Sequence, residues 1–372
     1  MKKFLFSLVF VCCFCFSVLA GDKEVIQQAY QLILDNHIND VSLSSVFAPA
    51  FSSLNKIDEN IRLVLEKNGV SVYKKNKLIK VYSRPKNEKD AQEWADFSDY
   101  ILEELKKISP KIQHKDFELV EFIFYNGIKE FDKNSNYFPV LDLGQTAEEI
   151  QGYNSGIIND GILYIRLGTI NDYTTDSLDS TLDSSKNIRG ILLDLRGNKG
   201  GYLKQAVNIA DVFLSEGKII HTLGKNKSVK KVYHAKEGEK FKNIPMVILV
   251  DGKTASAAEV IAVALKDNRR AKVVGGQTYG KGTVQNIYEL ENGAHIALTT
   301  ELIYSPRALP IDGIGVRPGV CSEVFATTSD IDELINYPYN FLCKKLSRNS
   351  TFDLDVGLRV LENMIVDKNI EN

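Results

Sequence analysis

A serine at position 256 stands where the apolar run Pro245-Met-Val-Ile-Leu-Val250 gives way, through Asp251-Gly-Lys-Thr-Ala, to the helical pattern Val260, Ile261, Val263, Ala264. A hydroxyl on such a strand-turn-helix corner faces the positive end of the helix dipole, and the backbone N–H of Ala257 is left free to stabilise an oxyanion. Serine is also a good helix N-cap, and that plainer role competes with catalysis. A nucleophile needs a base, yet His37, His114, His221, His234 and His295 are scattered, with no acidic or serine neighbour pattern to mark any of them. The Gly-rich loop Gly275-Gly-Gln-Thr-Tyr-Gly-Lys281-Gly-Thr-Val-Gln285 offers a lysine instead. An amine acts as a general base once desolvation lowers its pKa toward neutrality. On a strand following the loop, positions 281 and 285 share a face, so Gln285 is placed to orient the Lys281 amine. An ordinary turn carrying a solvated lysine is the competing reading. The third element, Asp194-Leu-Arg-Gly-Asn-Lys-Gly-Gly201, is again a strand entering a Gly-rich turn before a helix, and its glycines let a backbone N–H approach a substrate closely.

The loop from Gly275 also meets the first seven positions of the phosphate-cradling pattern G-x-x-x-x-G-K-[ST]. It fails at the eighth: Gly282 replaces the magnesium-binding hydroxyl, and β-prone Thr283-Val284 follow where a helix should begin. No nucleotide, metal or other cofactor is implied. The 46 basic residues are scattered among 48 acidic ones, without the basic excess that phosphate neutralisation requires, so nucleic acid is not an expected partner.

These groups must be held by a scaffold. With 372 residues, 44% hydrophobic and 25% charged, the chain has the composition of a folded protein of about two domains. Residues 1–20 read as a secretory signal peptide, with Lys2-Lys3, an apolar run from Phe4 to Phe16, and Val18-x-Ala20 before the expected cleavage. That run is shorter than the roughly 20 apolar residues a spanning helix needs, and no stable membrane span is expected after cleavage. Cys12, Cys13 and Cys15 leave with the leader; Cys321 and Cys343 remain, and sequence leaves their pairing open.

Residues 21–142 read as a mainly helical domain. Val25, Ala29, Leu32, Ile33 and then Ile61, Val64, Leu65 recur at helical spacing, as do Trp94, Phe97, Ile101 and Leu105 within Asp90 to Ile108, and a further helix is expected from Phe117 to Ile128. A small hairpin is expected near residues 70–82. Over residues 143–320, short apolar runs at Gly161, Arg189, Pro245 and Ala271, three of them separated by helical segments, predict an α/β domain with a largely parallel sheet. Thr283–Leu290 and His295–Tyr304, joined by Glu291-Asn292-Gly293, predict an added hairpin, and residues 321–372 a helical tail.

The segments Asp-Leu-Arg-Gly-Asn-Lys-Gly-Gly, Thr-Ala-Ser-Ala-Ala-Glu and Gln-Thr-Tyr-Gly-Lys-Gly-Thr-Val-Gln, in this order, resemble the carboxyl-terminal processing peptidases, or tail-specific proteases. That family uses a Ser-Lys dyad assisted by Gln, and its spacing is met here by 25 residues from Ser256 to Lys281 and four from Lys281 to Gln285. The resemblance implies Ser256 as nucleophile, Lys281 as general base and Gln285 as its orienting partner. It implies an oxyanion hole of the Ala257 N–H with one from Gly200 or Gly201, and a supporting position at Asp267. It also implies a mixed, largely parallel twisted sheet with flanking helices, of crotonase/ClpP-like type. Asn154–Arg166, Ile311–Pro318 and Phe352–Met364 resemble the family's first core strand, closing segment and terminal helix, and Ile128–Tyr137 the segment before its PDZ module.

Typical members insert a PDZ module of about 80 to 100 residues, a small domain, after that segment. Tyr137 and Tyr164 are only 27 residues apart, too few to hold one. The expected activity is endoproteolysis of unfolded or exposed polypeptide in a bacterial periplasm, with polypeptide as the partner and any adaptor or homo-oligomer left open. A non-catalytic binding or adaptor protein on the same scaffold is the rival reading. A crotonase-type acyl-CoA enzyme lacks an identifiable nucleotide-binding feature and gives Lys281 no role.

Overall fold

In a computed structural model the residues described are 21–114, 119–139, 152–159, 161–322, 343 and 351–371. The expected signal peptide, residues 1–20, lies outside them. The chain divides into two compact units, residues 1–35, 41–141 and 287–296 in one, and 36–40, 142–286 and 297–372 in the other.

In the first unit, helices α1 (Asp22–Asn36), α2 (Leu43–Ser52), α3 (Ala91–Ile108), the one-turn α4 (Pro110–Gln113) and α5 (Leu119–Phe131) surround an aromatic core. Trp94, Tyr30, Phe47, Phe51 and Phe124 are fully buried there. Helix α3 begins as its sequence signals: Asp90 caps it by accepting from Glu93 N at 2.9 Å, and Trp94, Phe97, Ile101 and Leu105 form its buried stripe. Gly127 is required where α5 crosses α2, because a Cβ there would lie 2.3 Å from Ala50 Cα.

The β content of this unit exceeds the expected hairpin. Ile61, Val64 and Leu65 lie not on a helix but on strand β1 (Ile61–Leu65), paired antiparallel to β2 (Gly69–Lys74), which pairs in turn with β3 (Lys77–Ser83). Over five residues the 61/64/65 spacing fits either period; burial of Ile61 and Leu63 around exposed Arg62 is the period-two pattern that the fold selects.

The second unit is built on a sheet of order β14-β11-β10-β7-β6-β5. Strands β6 (Ile162–Leu167), β7 (Gly190–Asp194), β10 (Met246–Val250), β11 (Lys272–Gly275) and β14 (Val320–Cys321) run parallel, and β5 (Tyr153–Ile158) is the antiparallel edge. Every residue of β7 and β10 is buried, as continuous apolar runs covered on both faces must be. One face carries α6 (Asp172–Ser184), α7 (Leu203–Val212) and α8 (Ala257–Asp267); the other carries α9 (Thr351–Glu371), whose Val356, Val360 and Leu361 cluster with Leu192, Val247 and Leu249. This is the expected α/β core of mixed, largely parallel sheet with flanking helices. A second sheet has the order β12 (Thr283–Glu289), β13 (His295–Tyr304), β8 (Lys218–Leu223), β9 (Val229–His234); the last two strands were not legible as such in the sequence. Cys321 and Cys343, left open above, are joined as a disulfide with Cα atoms 5.6 Å apart.

A buried ionic network ties α9 to the end of β7. Arg196 donates to Asp194 Oδ2 at 2.8 Å and lies 3.8 Å from Asp353 of α9, whose other oxygen accepts from Ser322. Burial would raise the Asp194 carboxyl, but hydrogen bonds and charge from Arg196, with Tyr164 adding a further bond, hold it below its ordinary value. A carboxyl with a lowered folded pKa contributes stability that is complete above the unfolded value of about 3.9 and is lost as pH falls through the folded one. Arg196→Met removes most of that protection, leaving Asp194 with Tyr164 and with Arg166 at 3.3 Å, and Asp353 with Ser322. Urea unfolding should show a loss of about 3–5 kcal/mol at neutral pH, and acid unfolding should begin at higher pH. An unchanged acid midpoint would refute the assignment.

Candidate active site

Adjacent parallel strands bring the three chemistry-bearing loops to one edge of the sheet. In the order β11-β10-β7, Leu249 pairs with Asp194 and Val250 with Gly275, so the turns after Asp194, Val250 and Gly275 all leave the carboxyl ends of neighbouring strands. The carboxyl edge is where parallel sheets present binding groups.

The turn after β10 is fixed by Asp251 and Thr254. Asp251 Oδ1 accepts from the backbone of Gly197, Lys253 and Thr254, and Thr254 Oγ1 donates to Leu195 O. The turn ends at Ser256, which precedes α8 with φ 56° and ψ −122°. An N-cap residue normally has extended backbone, whereas this serine is held in a conformation that L-residues avoid, which favours presentation of the hydroxyl over simple capping.

Opposite it, the turn after β7 approaches as closely as glycine allows. A Cβ on Gly200, at φ 104°, would lie 2.8 Å from Ser256 Cβ; one on Gly201, at φ 147°, would lie 2.0 Å from Ile170 O. The two glycines differ in what their N–H groups do. Gly200 donates to Asn198 Oδ1 at 2.8 Å and is committed. The N–H groups of Gly201 and Ala257 have no hydrogen-bond acceptor among the described residues.

Ser256, Ala257, Gly201 and Gln285 line one cleft of about 170 Å³ with Tyr202, Leu203, Thr283, Val284 and Ile303. Gln285 donates to Thr283 Oγ1 at 2.8 Å rather than to Lys281. Lys281 does not line the cleft, and its amine makes no hydrogen bond among the described residues. Catalytic hydrogen bonds are commonly loose without substrate and tighten on binding. Asp267 is at the far end of α8, about 16 Å along the helix from Ser256, so any support it gives passes through the helix.

The residue that joins these loops is Glu259, the last of the segment Thr-Ala-Ser-Ala-Ala-Glu. It is fully buried. Its Oε2 accepts from Ser256 N at 2.8 Å and Lys281 N at 2.9 Å; its Oε1 accepts from Gly280 N at 2.7 Å and from the Thr278 hydroxyl. One carboxylate oxygen therefore clasps the backbones of Ser256 and Lys281 together. Burial raises the Glu259 carboxyl from its ordinary value, while hydrogen bonds from Thr278, Gly280, Ser256 and Lys281 oppose that rise. Ser256 followed three residues later by Glu259 is the S-x-x-E capping-box pattern, a sequence signal that could have drawn attention to it.

A hydroxyl held at a helix start beside two uncommitted N–H donors is an arrangement suited to acyl transfer. Residues 161–321 match the model of Peptidase family S41. A carboxy-terminal-processing protease of Bartonella bacilliformis is 38% identical over 173 residues, covering 45% of this chain and 40% of the relative. Carboxy-terminal processing protease CtpA of Bacillus subtilis is 34% identical over 186 residues, covering 50% and 40%. Among solved structures, a photosystem II D1 C-terminal processing protease aligns at 29% identity and a TM-score of 0.41 over 50% of this chain and 47% of its own. Residues 161–321 thus resemble a peptidase family S41 domain, and the resemblance to the carboxyl-terminal processing peptidases is borne out. It spans about two fifths of the length of those curated relatives.

Proposed function

We propose that the chain is an exported serine endopeptidase of the carboxyl-terminal processing type, acting on unfolded or exposed polypeptide in a bacterial periplasm. The observation that carries this reading is the cleft in which Ser256 meets the uncommitted N–H groups of Ala257 and Gly201. Ser256 Oγ attacks the scissile carbonyl as Lys281 takes its proton, with Gln285 orienting the amine. The Ala257 and Gly201 amides hold the oxyanion; Gly200, committed to Asn198, shapes the turn. Lys281 then returns the proton to the leaving amine as the C–N bond breaks, and water releases the acyl group from Ser256. Export is supported by the leader pattern of residues 1–20, and among the described residues no helix is long and apolar enough to cross a membrane.

The second reading, a binding or adaptor protein on this scaffold, draws on Lys281 lying outside the residues that line the cleft. Casein hydrolysis decides between them. The peptidase reading expects the chain to cut casein, with a rate that falls toward acid as the base becomes protonated. A rate that stays flat down to about pH 5 argues against a lysine base, and an inert chain gives the lead to the binding protein.

A further inference from the structure

The hairpin of β2 and β3 in the first unit carries a surface that serves neither the core nor the cleft. From Lys67 to Arg84 the chain holds six Lys or Arg residues and no Asp or Glu, in a protein whose formal net charge is −2. The tip is a two-residue turn in which Lys75 and Asn76 both take positive φ, 48° and 64°, the geometry that suits the twist of an antiparallel pair. Just past it Leu78, Ile79 and Val81 are 47%, 44% and 52% exposed. Among the described residues no other stretch of four holds three exposed large hydrophobic side chains.

Strand pairing shows which side these residues occupy. Residues paired across strands share a face, so Arg62, Tyr73 and Leu78 form one row and Val64, Ser71 and Val81 the next. The opposite face is the one packed inward, through Ile61, Leu63, Val70 and Val72. Ile79 has no partner, because the register passes from Val72 and Lys80 to Tyr73 and Leu78 and leaves it in a bulge. The Arg62 guanidinium lies 4.2 Å over the Tyr73 ring, and Arg62, Lys67, Lys75 and Lys77 make no ion pair among the described residues. The acids in contact with the hairpin are engaged: Glu66 accepts from Ser71, Glu88 from Arg84, and Glu104 from Lys80, Tyr82 and Lys107.

The chemistry of this surface selects among the partners that could cover it. An added strand would have to use the outer edge of β3, whose backbone bonds only to β2 among the described residues. The bulge at Ile79 bends that edge and Lys77 and Lys80 stand on it, which are the devices by which sheets resist edge pairing. The core of a protein interface is depleted of lysine, whereas here lysines alternate with the apolar groups. An anionic lipid surface meets both features, since its headgroups face the cations while short aliphatic side chains enter the acyl boundary.

We propose that the hairpin of β2 and β3 docks the protein on an anionic lipid surface, with Leu78, Ile79 and Val81 entering between headgroups that Arg62, Lys67, Lys75 and Lys77 contact. This is adsorption rather than a span, and it does not depend on the peptidase reading.

Cosedimentation with vesicles tests it, using the chain from Gly21 on so that the apolar leader takes no part. Vesicles of phosphatidylcholine with about one-third phosphatidylglycerol should bind at least about tenfold more tightly than phosphatidylcholine alone. Raising salt from about 0.1 M to about 0.5 M should weaken the binding. Lys75→Glu with Lys77→Glu should lower affinity at least about tenfold, since each exposed cation near such a surface is worth about fivefold. Ile79→Thr with Val81→Thr, which keeps strand propensity while removing apolar surface, should lower it about fivefold. Lys186→Glu with Lys236→Glu makes the same change of net charge at exposed positions outside the hairpin and should leave binding within about twofold. Every variant should keep the urea midpoint of the parent, as exposed substitutions do. The proposal is overturned if neither vesicle binds, if the two bind alike or if salt has no effect. It is equally overturned if either hairpin pair leaves affinity unchanged, or if the outside pair weakens binding as much as the lysine pair. Binding of poly-L-glutamate without binding of vesicles would make the surface a dock for acidic polypeptide and would overturn it too.

Discussion

Ser256→Ala is expected to lower casein cleavage at least about a thousandfold, and Lys281→Ala to lower it by nearly as much, because members of one catalytic unit cannot substitute for each other. The double variant should be no slower than the worse single one. Such non-additivity separates a dyad from two independent contributions, whose losses would multiply. The residual rate would come from Ala257, Gly201 and substrate binding, which alanine at either position leaves in place. Both variants should unfold in urea within about 0.5–1 kcal/mol of the parent, since among the described residues neither side chain bonds to another segment of the fold and Ser256 takes part only in the local capping box of α8. If Lys281→Ala retains most activity while Ser256→Ala is dead, the base lies elsewhere and the role assigned to Lys281 falls.

The second large effect is expected at Glu259. Its carboxylate accepts three backbone N–H groups and one hydroxyl in a fully buried position, and no other group among the described residues could take over all four. Glu259→Gln keeps the shape but replaces one acceptor oxygen with an NH₂ group that faces donors. Each buried donor left without an acceptor costs about 1–3 kcal/mol, so with two donors on each oxygen the loss in urea unfolding should be several times that of an ordinary surface change. The catalytic consequence is distinct from instability. At temperatures where the variant is fully folded, kcat should fall at least about tenfold with KM nearly unchanged, because the clasp sets Ser256 against Lys281 and touches no substrate. Glu259→Asp should not rescue activity, since its carboxylate would sit one methylene short of Lys281 N. A variant that loses stability but keeps kcat would make Glu259 a structural residue only.

Local pattern was enough to read most of the α/β core. Strands β7 and β10 are legible because a strand buried on both faces must be continuously apolar, and α3 because a capped amphipathic helix repeats at 3.6 residues. The spacing in strand β1 fits a helix as well as a strand because five residues do not distinguish the two periods. Strands β8 and β9 carry charged residues and lysines that blur their alternation, and pairing with one another and with β13 decides their state.

The candidate site divides in the same way. Sequence alone offered Ser256, Ala257, Gln285 and either Gly200 or Gly201, together with Lys281; the fold brings Ser256, Ala257, Gly201 and Gln285 to one cleft that Lys281 does not line, because residue type and spacing along single loops carry only part of that information. Contacts between loops do not appear in such a pattern. Only the tertiary structure commits Gly200 to Asn198 and leaves Gly201 open, lets Glu259 reach across 22 residues to Lys281, ties Arg196 to Asp353, closes Cys321 on Cys343, and leaves one oxygen of Asp267 without a donor. Each of these depends on which backbone groups other strands and helices have already satisfied, and that balance of donors and acceptors exists only once the chain has folded.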